Sequence, residues 1–418
     1  MRKTLFASLF VTVLLTNQSM PAASNSDQPS LLRITNSPPD PDMPDVTHSM
    51  LVEHAAQSHA LPADQVDWLS QGAWDEDHCS VSIYPPEGQL CVPGIPNGHH
   101  SWDPDTNQFW NEPSWWGDFG PGLSHAVMLF EKATNAYWAG NTRAAYLWLG
   151  RALHMLGDVA TPAHTLLDIH HPLDPDSYEE WLSQGGHSNT QAWIDANPPG
   201  ESWDMDFRDL PAWEALNPDL QAGLNSASQQ YGGRASGQEL WELGPTGEDR
   251  VIFQLMYLIA EESDNWDSDD AQGEIYPGSL ADPAYLIRIR EALFPLTVRY
   301  ATALISYFEQ RLLPPPAPTL ISPLDGAWVA ANPPVFYWQP VDFNPTYRIE
   351  VSAEPEFASP LLAEMTTNSF YTPATPLPPG LFYWRVHAET EAGTGEWSEV
   401  WSLQIPWRVN LPWVSRTG

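Results

Sequence analysis

His154, Asp158 and His164 lie within eleven residues of one another. The first two are four apart in a stretch that reads as helix, so their side chains leave one face a single turn apart. Leu149, Leu153 and Leu156 surround that face with apolar groups. Pro162 breaks the helix, and the chain then swings His164 back towards the same region. Two imidazoles and a carboxylate offer the nitrogen and oxygen donors that zinc accepts. Farther on, Asp176 and Glu180 repeat the four-residue spacing with two carboxylates. A lone buried histidine is usually satisfied by a hydrogen bond. Several such groups together, beside Gly157 and Pro162, favour a metal.

The elements that must position these groups are legible from periodicity. Helical patterning begins near Thr47 and returns over 123–140, where Leu123, Val127, Phe130, Ala133 and Tyr137 form an apolar stripe stopped by Gly140 and Asn141. Further helices are expected from Thr142 to about Asp158, over about 249–262, and from Pro283 to about Leu312. The stretches 75–122 and 165–245 are long and rich in Trp, Gly and Pro, a pattern in which loops carry function. At Leu313-Pro314-Pro315-Pro316-Ala317-Pro318 the character changes. A Pro-rich linker, 313–319, leads into alternating strand patterns at Val335–Trp338, Tyr347–Val351 and Leu381–Val386. This predicts a β-sandwich over 320–407. Pro323-Leu324-Asp325-Gly326, Leu377-Pro378-Pro379-Gly380 and Glu396-Trp397-Ser398 make that segment resemble a fibronectin type III domain. An eleven-residue tail, 408–418, follows.

The 418 residues carry 53 acidic and 17 basic side chains, a net charge of −36. Such a chain repels nucleic acid and anionic membranes at long range and attracts metal cations. From residue 313 on there are ten acidic and four basic residues, a net of −6, so −30 of the charge lies upstream. Arg2 and Lys3 precede an apolar run from Leu5 to Leu15 and a small-residue stretch around Pro21–Ser24, the layout of a secretory signal peptide over 1–23. The apolar run is shorter than the ~20 residues needed to span a bilayer, which disfavours an uncleaved anchor. No later segment is long and apolar enough to do so. Residues 24–44 read as a disordered Pro-rich spacer. Cys79 and Cys91 are the two cysteines, and in an exported chain they are expected to pair. The expected location is therefore secreted or extracytoplasmic.

On these residues the chain resembles the zinc-dependent phospholipases C of bacteria, which share a fold with zinc-dependent single-strand nucleases. The match centres on His154-x-x-x-Asp158 followed by His164. His100-Ser101-Trp102-Asp103-Pro104 is similar to the family's His-x-x-Asp-Pro segment. Gly72–Asp77 resembles the place of an aspartate ligand, with Asp77 chosen and Asp75 in reserve, and Thr47–Leu51 resembles the N-terminal segment whose histidine binds a further ion. The resemblance covers roughly residues 45–310. It implies an all-α zinc-binding domain over 45–312, followed by the all-β fibronectin type III-like sandwich. It also implies two or three zinc ions. One would be held by Asp77, His100, His154 and Asp158. A second would be held by His164 and Glu180, with Asp176 where the family places a histidine and His170 or His171 as substitutes. A third would share Asp158 with His48. The family completes that third site with an N-terminal Trp, and no Trp precedes His48 here. His99 is the alternative to His100 by a one-residue slip. His54, His59, His78, His125 and His187 are expected to be solvated or satisfied within the core. His387 falls in a strand of the sandwich and is expected to have no functional role.

Clustered zinc ions suit phosphodiester hydrolysis, since they polarise phosphoryl oxygens and lower the pKa of water towards ~7. The expected reaction is in-line attack of a metal-bound hydroxide on phosphorus, with Asp77 orienting or deprotonating the water and Asp158 bridging the ions. Trp102, Trp110, Trp115 and Trp116 either line a substrate cleft, meet a lipid interface or serve as ordinary packing aromatics. The resemblance allows phospholipid or nucleic acid as substrate, and the charge of −30 upstream of the linker favours phospholipid. A non-catalytic secreted adhesion protein stabilised by metals is the alternative of another class.

Overall fold

In the computed structural model the described residues are 46–85, 90–93, 100–104, 122–166, 176–211, 250–266, 282–343 and 345–407; the expected signal segment, the spacer up to residue 44 and the C-terminal tail lie outside them. The N-terminal region is helical and the C-terminal region is β-rich. Among the described residues the helices are α1 (Thr47–Ser58), α2 (Ala63–His78), α3 (Gly122–Trp138), α4 (Thr142–Asp158), the single turn α5 (Pro162–Thr165), α6 (Ser177–Ala196), α7 (Arg250–Ser263) and α8 (Pro283–Arg311).

Helix α4 is the centre of the helical region. Asn141 caps it by accepting a hydrogen bond from the Ala144 N–H at 3.1 Å. Nearly every residue from Ala144 to Asp158 is buried, as expected of a helix enclosed on all sides. Helices α2 and α3 make its largest contacts, and α1, α7 and α8 also touch it. Where α2 and α4 cross, glycines bring the backbones together. A Cβ on Gly72 would lie 2.1 Å from the Leu147 carbonyl oxygen, and one on Gly150 would lie 2.2 Å from that of Leu69. Directly after α2, the hairpin of β1 (Cys79–Ile83) and β2 (Leu90–Pro93) is joined by the Cys79–Cys91 disulfide.

Two helices, α2 and α6, are not marked by periodicity, and α6 falls inside the stretch 165–245 expected as loop. The apolar pattern of α2 is interrupted by Gly72 and by the run Asp75-Glu76-Asp77, which tertiary partners make tolerable. Helix α6 is interrupted at Gln184–His187, where Gly185, Gly186 and His187 take positive φ.

The C-terminal region contains two sheets. One has the order β4 (Ala327–Trp328), β11 (Trp401–Ile405), β9 (Gly380–Thr390), β6 (Thr346–Ser352), β7 (Leu362–Thr366), with β10 (Gly393–Thr394) also on β9. The other has the order β3 (Leu320–Ser322), β5 (Phe336–Trp338), β8 (Phe370–Tyr371). Their inner faces share one core, in which the Phe336 and Trp384 rings meet across the sheets at 4.9 Å. This region touches the helical one through Phe343. Its ring lies 5.4 Å from that of Tyr307 and 6.1 Å from that of Phe207.

Candidate metal centre

The end of α2 carries three consecutive acids, and the ~100° advance per helical residue sends each to a different neighbour. Asp75 is buried and turned away from the histidines: Gln71 Nε2 donates to it at 2.8 Å and the Tyr84 hydroxyl at 2.6 Å. Glu76 is buried between Arg151 and His125, whose Nε2 lies 2.6 Å away. Asp77 faces α4, with Oδ1 3.2 Å from His154 Nε2 and 3.9 Å from His100 Nδ1. Asp77 rather than Asp75 is therefore the acid beside the histidines.

Around Asp77 the other groups converge. His154 and Asp158 meet across one turn of α4, with Nε2 3.1 Å from Oδ1. His100 Nδ1–H donates to the second oxygen of Asp158 at 2.9 Å. His48 arrives from α1, its Nδ1 3.4 Å from His154 Nε2 and 3.6 Å from Asp158 Oδ1. Its ring can come this close because Gly157 has no side chain; a Cβ there would lie 2.7 Å from His48 Cδ2. The start of α1 is held in turn by α6, since Thr47 Oγ1 lies 3.2 Å from His187 Nδ1 and 3.1 Å from Thr190 Oγ1.

The electrostatics follow from this crowding. Burial, and then His154, pushes His48 down to about 4. Burial also opposes charge on His100, but the Asp158 and Asp77 carboxylates outweigh it and raise His100 to about 9. Burial would raise the Asp158 carboxyl, yet His154 and His100 hold it well below the usual carboxylate range. The enclosed Asp158 carboxylate, with the half-buried Asp77 beside it, thus demands positive charge, which protons on His100 and His154 or a bound cation can supply.

A cation suits the donor set. His48, Asp77 and His154, and likewise His100, His154 and Asp158, each offer ligand atoms within 4.8 Å of one another. His100 Nε2 and His154 Nδ1 are buried without hydrogen-bond partners among the described residues. Imidazole nitrogen and carboxylate oxygen are zinc donors.

The remaining expected ligands are arranged differently. His164 Nδ1–H donates to the His100 carbonyl at 2.9 Å, and the Trp102 N–H donates to the His164 carbonyl at 3.1 Å, so the two histidine segments are tied together. His164 Nε2 lies 3.8 Å from Glu179, whereas Glu180 is exposed on the next position of α6. The four-residue spacing of Asp176 and Glu180 does not put them on one helical face, because Asp176 is the extended N-cap of α6. Its Oδ1 accepts from the Tyr178 and Glu179 N–H groups at 2.9 and 2.8 Å. Glu179 is the site-facing acid that sequence spacing missed; its place one turn into a capped helix was the available signal. His99, His170, His171, Trp110, Trp115 and Trp116 lie outside the described residues. Trp102 is fully buried against Phe253, the place of a packing aromatic. His54, His125 and His187 are buried and engaged within the core, His54 donating to the Asn197 carbonyl at 2.7 Å.

No known protein-family profile matches the chain. Over 69 residues it is 39% identical to the phospholipase C of Clostridium haemolyticum, a match spanning 16% of this chain and 17% of that protein. Among solved structures, the alpha toxin of Clostridium absonum aligns with 88% of this chain and 100% of its own, at 12% identity and a TM-score of 0.39. A human fibronectin type III domain aligns with 27% of this chain and 87% of its own, at 16% identity and a TM-score of 0.20.

Proposed function

We propose that this chain is a secreted zinc-dependent phosphodiester hydrolase that removes phospholipid head groups, a phospholipase C-type activity. The observation that carries the proposal is the convergence of His48, Asp77, His100, His154 and Asp158, in which the buried pair His154 and Asp158 is met by three half-buried groups. The local match to a phospholipase C supports the choice of phosphodiester chemistry. Asp77, His100, His154 and Asp158 would hold one ion. His48 would share Asp158 with another, and His164 would hold a further one with a carboxylate from the start of α6, where Glu179 faces it and Asp176 and Glu180 flank it.

Zinc would supply polarisation of the phosphoryl oxygens and a lowered pKa for water. The chain's own groups divide the rest. Asp77, whose side chain is 20% exposed, is the carboxylate able to orient an attacking water and take its proton. Asp158, at 1%, is enclosed and holds His48, His100 and His154 in mutual register. The net charge of −30 upstream of the linker opposes the approach of a polyanion, which disfavours nucleic acid and leaves a zwitterionic phospholipid as the fitting substrate. We assign residues 45–312 to the hydrolase domain and 320–407 to a fibronectin type III-like spacer or surface-attachment module. Among the described residues no helix is long and apolar enough to cross a membrane.

The test is to quantify zinc in the purified mature chain and to assay phosphatidylcholine and single-stranded DNA with and without chelator. Bound zinc with chelator-sensitive hydrolysis of phosphatidylcholine is expected. Chelator-sensitive cleavage of DNA alone would make the chain a nuclease, and zinc without either activity would favour the adhesion protein. Absence of zinc, or activity indifferent to chelation, would overturn the proposal.

A further inference from the structure

The Arg151–Glu76–His125 network is as enclosed as the candidate metal centre and shares none of its proposed ligands. Glu76 is fully buried, and the side chains of Arg151 and His125 are only 4% and 7% exposed. Arg151 Nε donates to one carboxylate oxygen of Glu76, while His125 Nε2 lies 2.6 Å from the other. Three helices are thereby joined at one carboxylate, since Glu76 lies on α2, His125 on α3 and Arg151 on α4. The Arg151 guanidinium also lies over the Trp148 ring, 5.2 Å from its centroid.

Such a network is a poor way to gain stability. Burying a carboxylate and a guanidinium costs hydration that their attraction barely returns, and apolar replacements of similar size are often neutral or better. The best-attested gain from buried ion pairs is registry. Here the registry concerns the candidate metal centre directly. Glu76 immediately precedes Asp77, and Arg151 precedes His154 by three residues on the same helix. The Glu76–Arg151 tie and the Asp77–His154 approach at 3.2 Å are therefore adjacent links between α2 and α4. The glycine crossing at Gly72 and Gly150 sets how close the helices lie, but close backbone contact without interlocking side chains leaves rotation of α2 about its axis weakly specified. A carboxylate with one oxygen on α4 and the other on α3 fixes that rotation. The same rotation decides which of the three acids faces the histidines.

We propose that Glu76, held by Arg151 and His125, is a positioning residue that keeps Asp77 aimed at His154 and so sets the metal affinity of the site. The assignment rests on the proposed function, because it supposes that these residues bind a metal. The experiment uses the full mature chain and two variants, Glu76→Gln and the double variant Glu76→Gln/Arg151→Met, which removes both charges of the buried pair. Cobalt(II), as a spectroscopic substitute for zinc, is titrated against a competing chelator, and the metal-free proteins are melted in parallel. Expected is a metal affinity at least about 10-fold weaker in both variants, the usual range for groups that orient ligands, with an altered cobalt absorption spectrum. The metal-free double variant is expected to melt close to the parent. Adding Asp77→Asn to the double variant should weaken affinity much less than Asp77→Asn does in the parent. A folded double variant with parental affinity and spectrum would overturn the positioning role while leaving the metal site standing. If neither variant folds, the network is a stability element and the assignment falls. If the parent binds no cobalt or zinc, the metal site itself falls, and this assignment with it.

Discussion

The imidazole of His48 rests against the α-carbon of Gly157, where a Cβ would come within 2.7 Å of His48 Cδ2. Helix α1 therefore reaches the His154–Asp158 turn only because the residue between those two groups lacks a side chain. In an ordinary helix interior, replacing glycine by alanine adds about 1 kcal/mol. Gly157→Ala is expected to do the reverse, lowering stability by roughly 1–3 kcal/mol through overpacking and reducing the zinc retained on gel filtration. Urea unfolding and metal analysis of the purified variant check both parts; a stabilised variant with full zinc would contradict the contact.

Asp75 and Asp77 are two residues apart and should respond in opposite ways to the same change. Asp77→Asn is expected to lower hydrolysis by about 10²–10⁴-fold, the range for loss of a proton-accepting group, and to weaken metal binding. Asp75→Asn should keep its zinc, because its partners are Gln71 and Tyr84, and should cost about 1–3 kcal/mol in stability. Asp158→Asn should abolish activity and release metal, since His48, His100 and His154 all face that carboxylate. Full activity in Asp158→Asn would refute the assignment of the centre.

The crossing of α2 and α4 is a second place where one methyl group matters. Gly150→Ala puts a Cβ 2.2 Å from the Leu69 carbonyl oxygen, and backbone cannot move aside as a side-chain tip can. The expected cost is about 1–3 kcal/mol or more, read as a lower urea midpoint. Because Asp77 and His154 lie just beyond the crossing, metal affinity should fall as well. Gly200 supplies the control: a Cβ there meets nothing within 4 Å, so Gly200→Ala should leave both readouts unchanged.

Away from the candidate metal centre, His59 is expected to give stability a pH dependence. Its Nδ1 lies 2.6 Å from Asp204 and its Nε2 3.3 Å from Glu309, so the C-terminal cap of α1, the segment after α6 and helix α8 meet on one imidazole. The bond with Glu309, helped by Asp204 and opposed by burial, raises His59 above its ordinary 6.5. A raised pKa means that the contribution is complete below 6.5 and is lost as pH climbs through the folded-state value. Both carboxylates are partly exposed, so no more than about 1 kcal/mol is expected. Urea midpoints should fall between slightly acidic and alkaline pH in the parent by more than in His59→Gln; equal slopes would exclude the effect.

Part of this organisation is readable along the chain. The Asn141 cap, the apolar run after it and Pro162 beyond mark α4 from Thr142 to Asp158, and the four-residue spacing of His154 and Asp158 puts them in reach of each other at 3.1 Å. The Pro-rich stretch after Leu313 separates the helical region from the β-rich one. Periodicity failed where its assumption failed. Asp176 and Glu180 have helical spacing, but Asp176 is a cap rather than a member of α6, so the pair shares no face and Glu179 meets His164. Helix α2 escaped notice because Gly72 and three successive acids break the apolar pattern that would have revealed it.

Covalent geometry repeats every few residues, and for that reason the helix types, the capped start of α4 and the pairing of His154 with Asp158 follow from local sequence. The meeting of His48, Asp77 and His100 with that pair does not, because it joins positions as far apart in the chain as His48 and Asp158, 110 residues. Their approach depends on contacts with no local signature: a ring against Gly157, backbones touching at Gly72 and Gly150, and one carboxylate, Glu76, held from two helices at once. Which of three neighbouring acids turns towards the histidines is a matter of helix rotation, and only packing around α2 sets that angle.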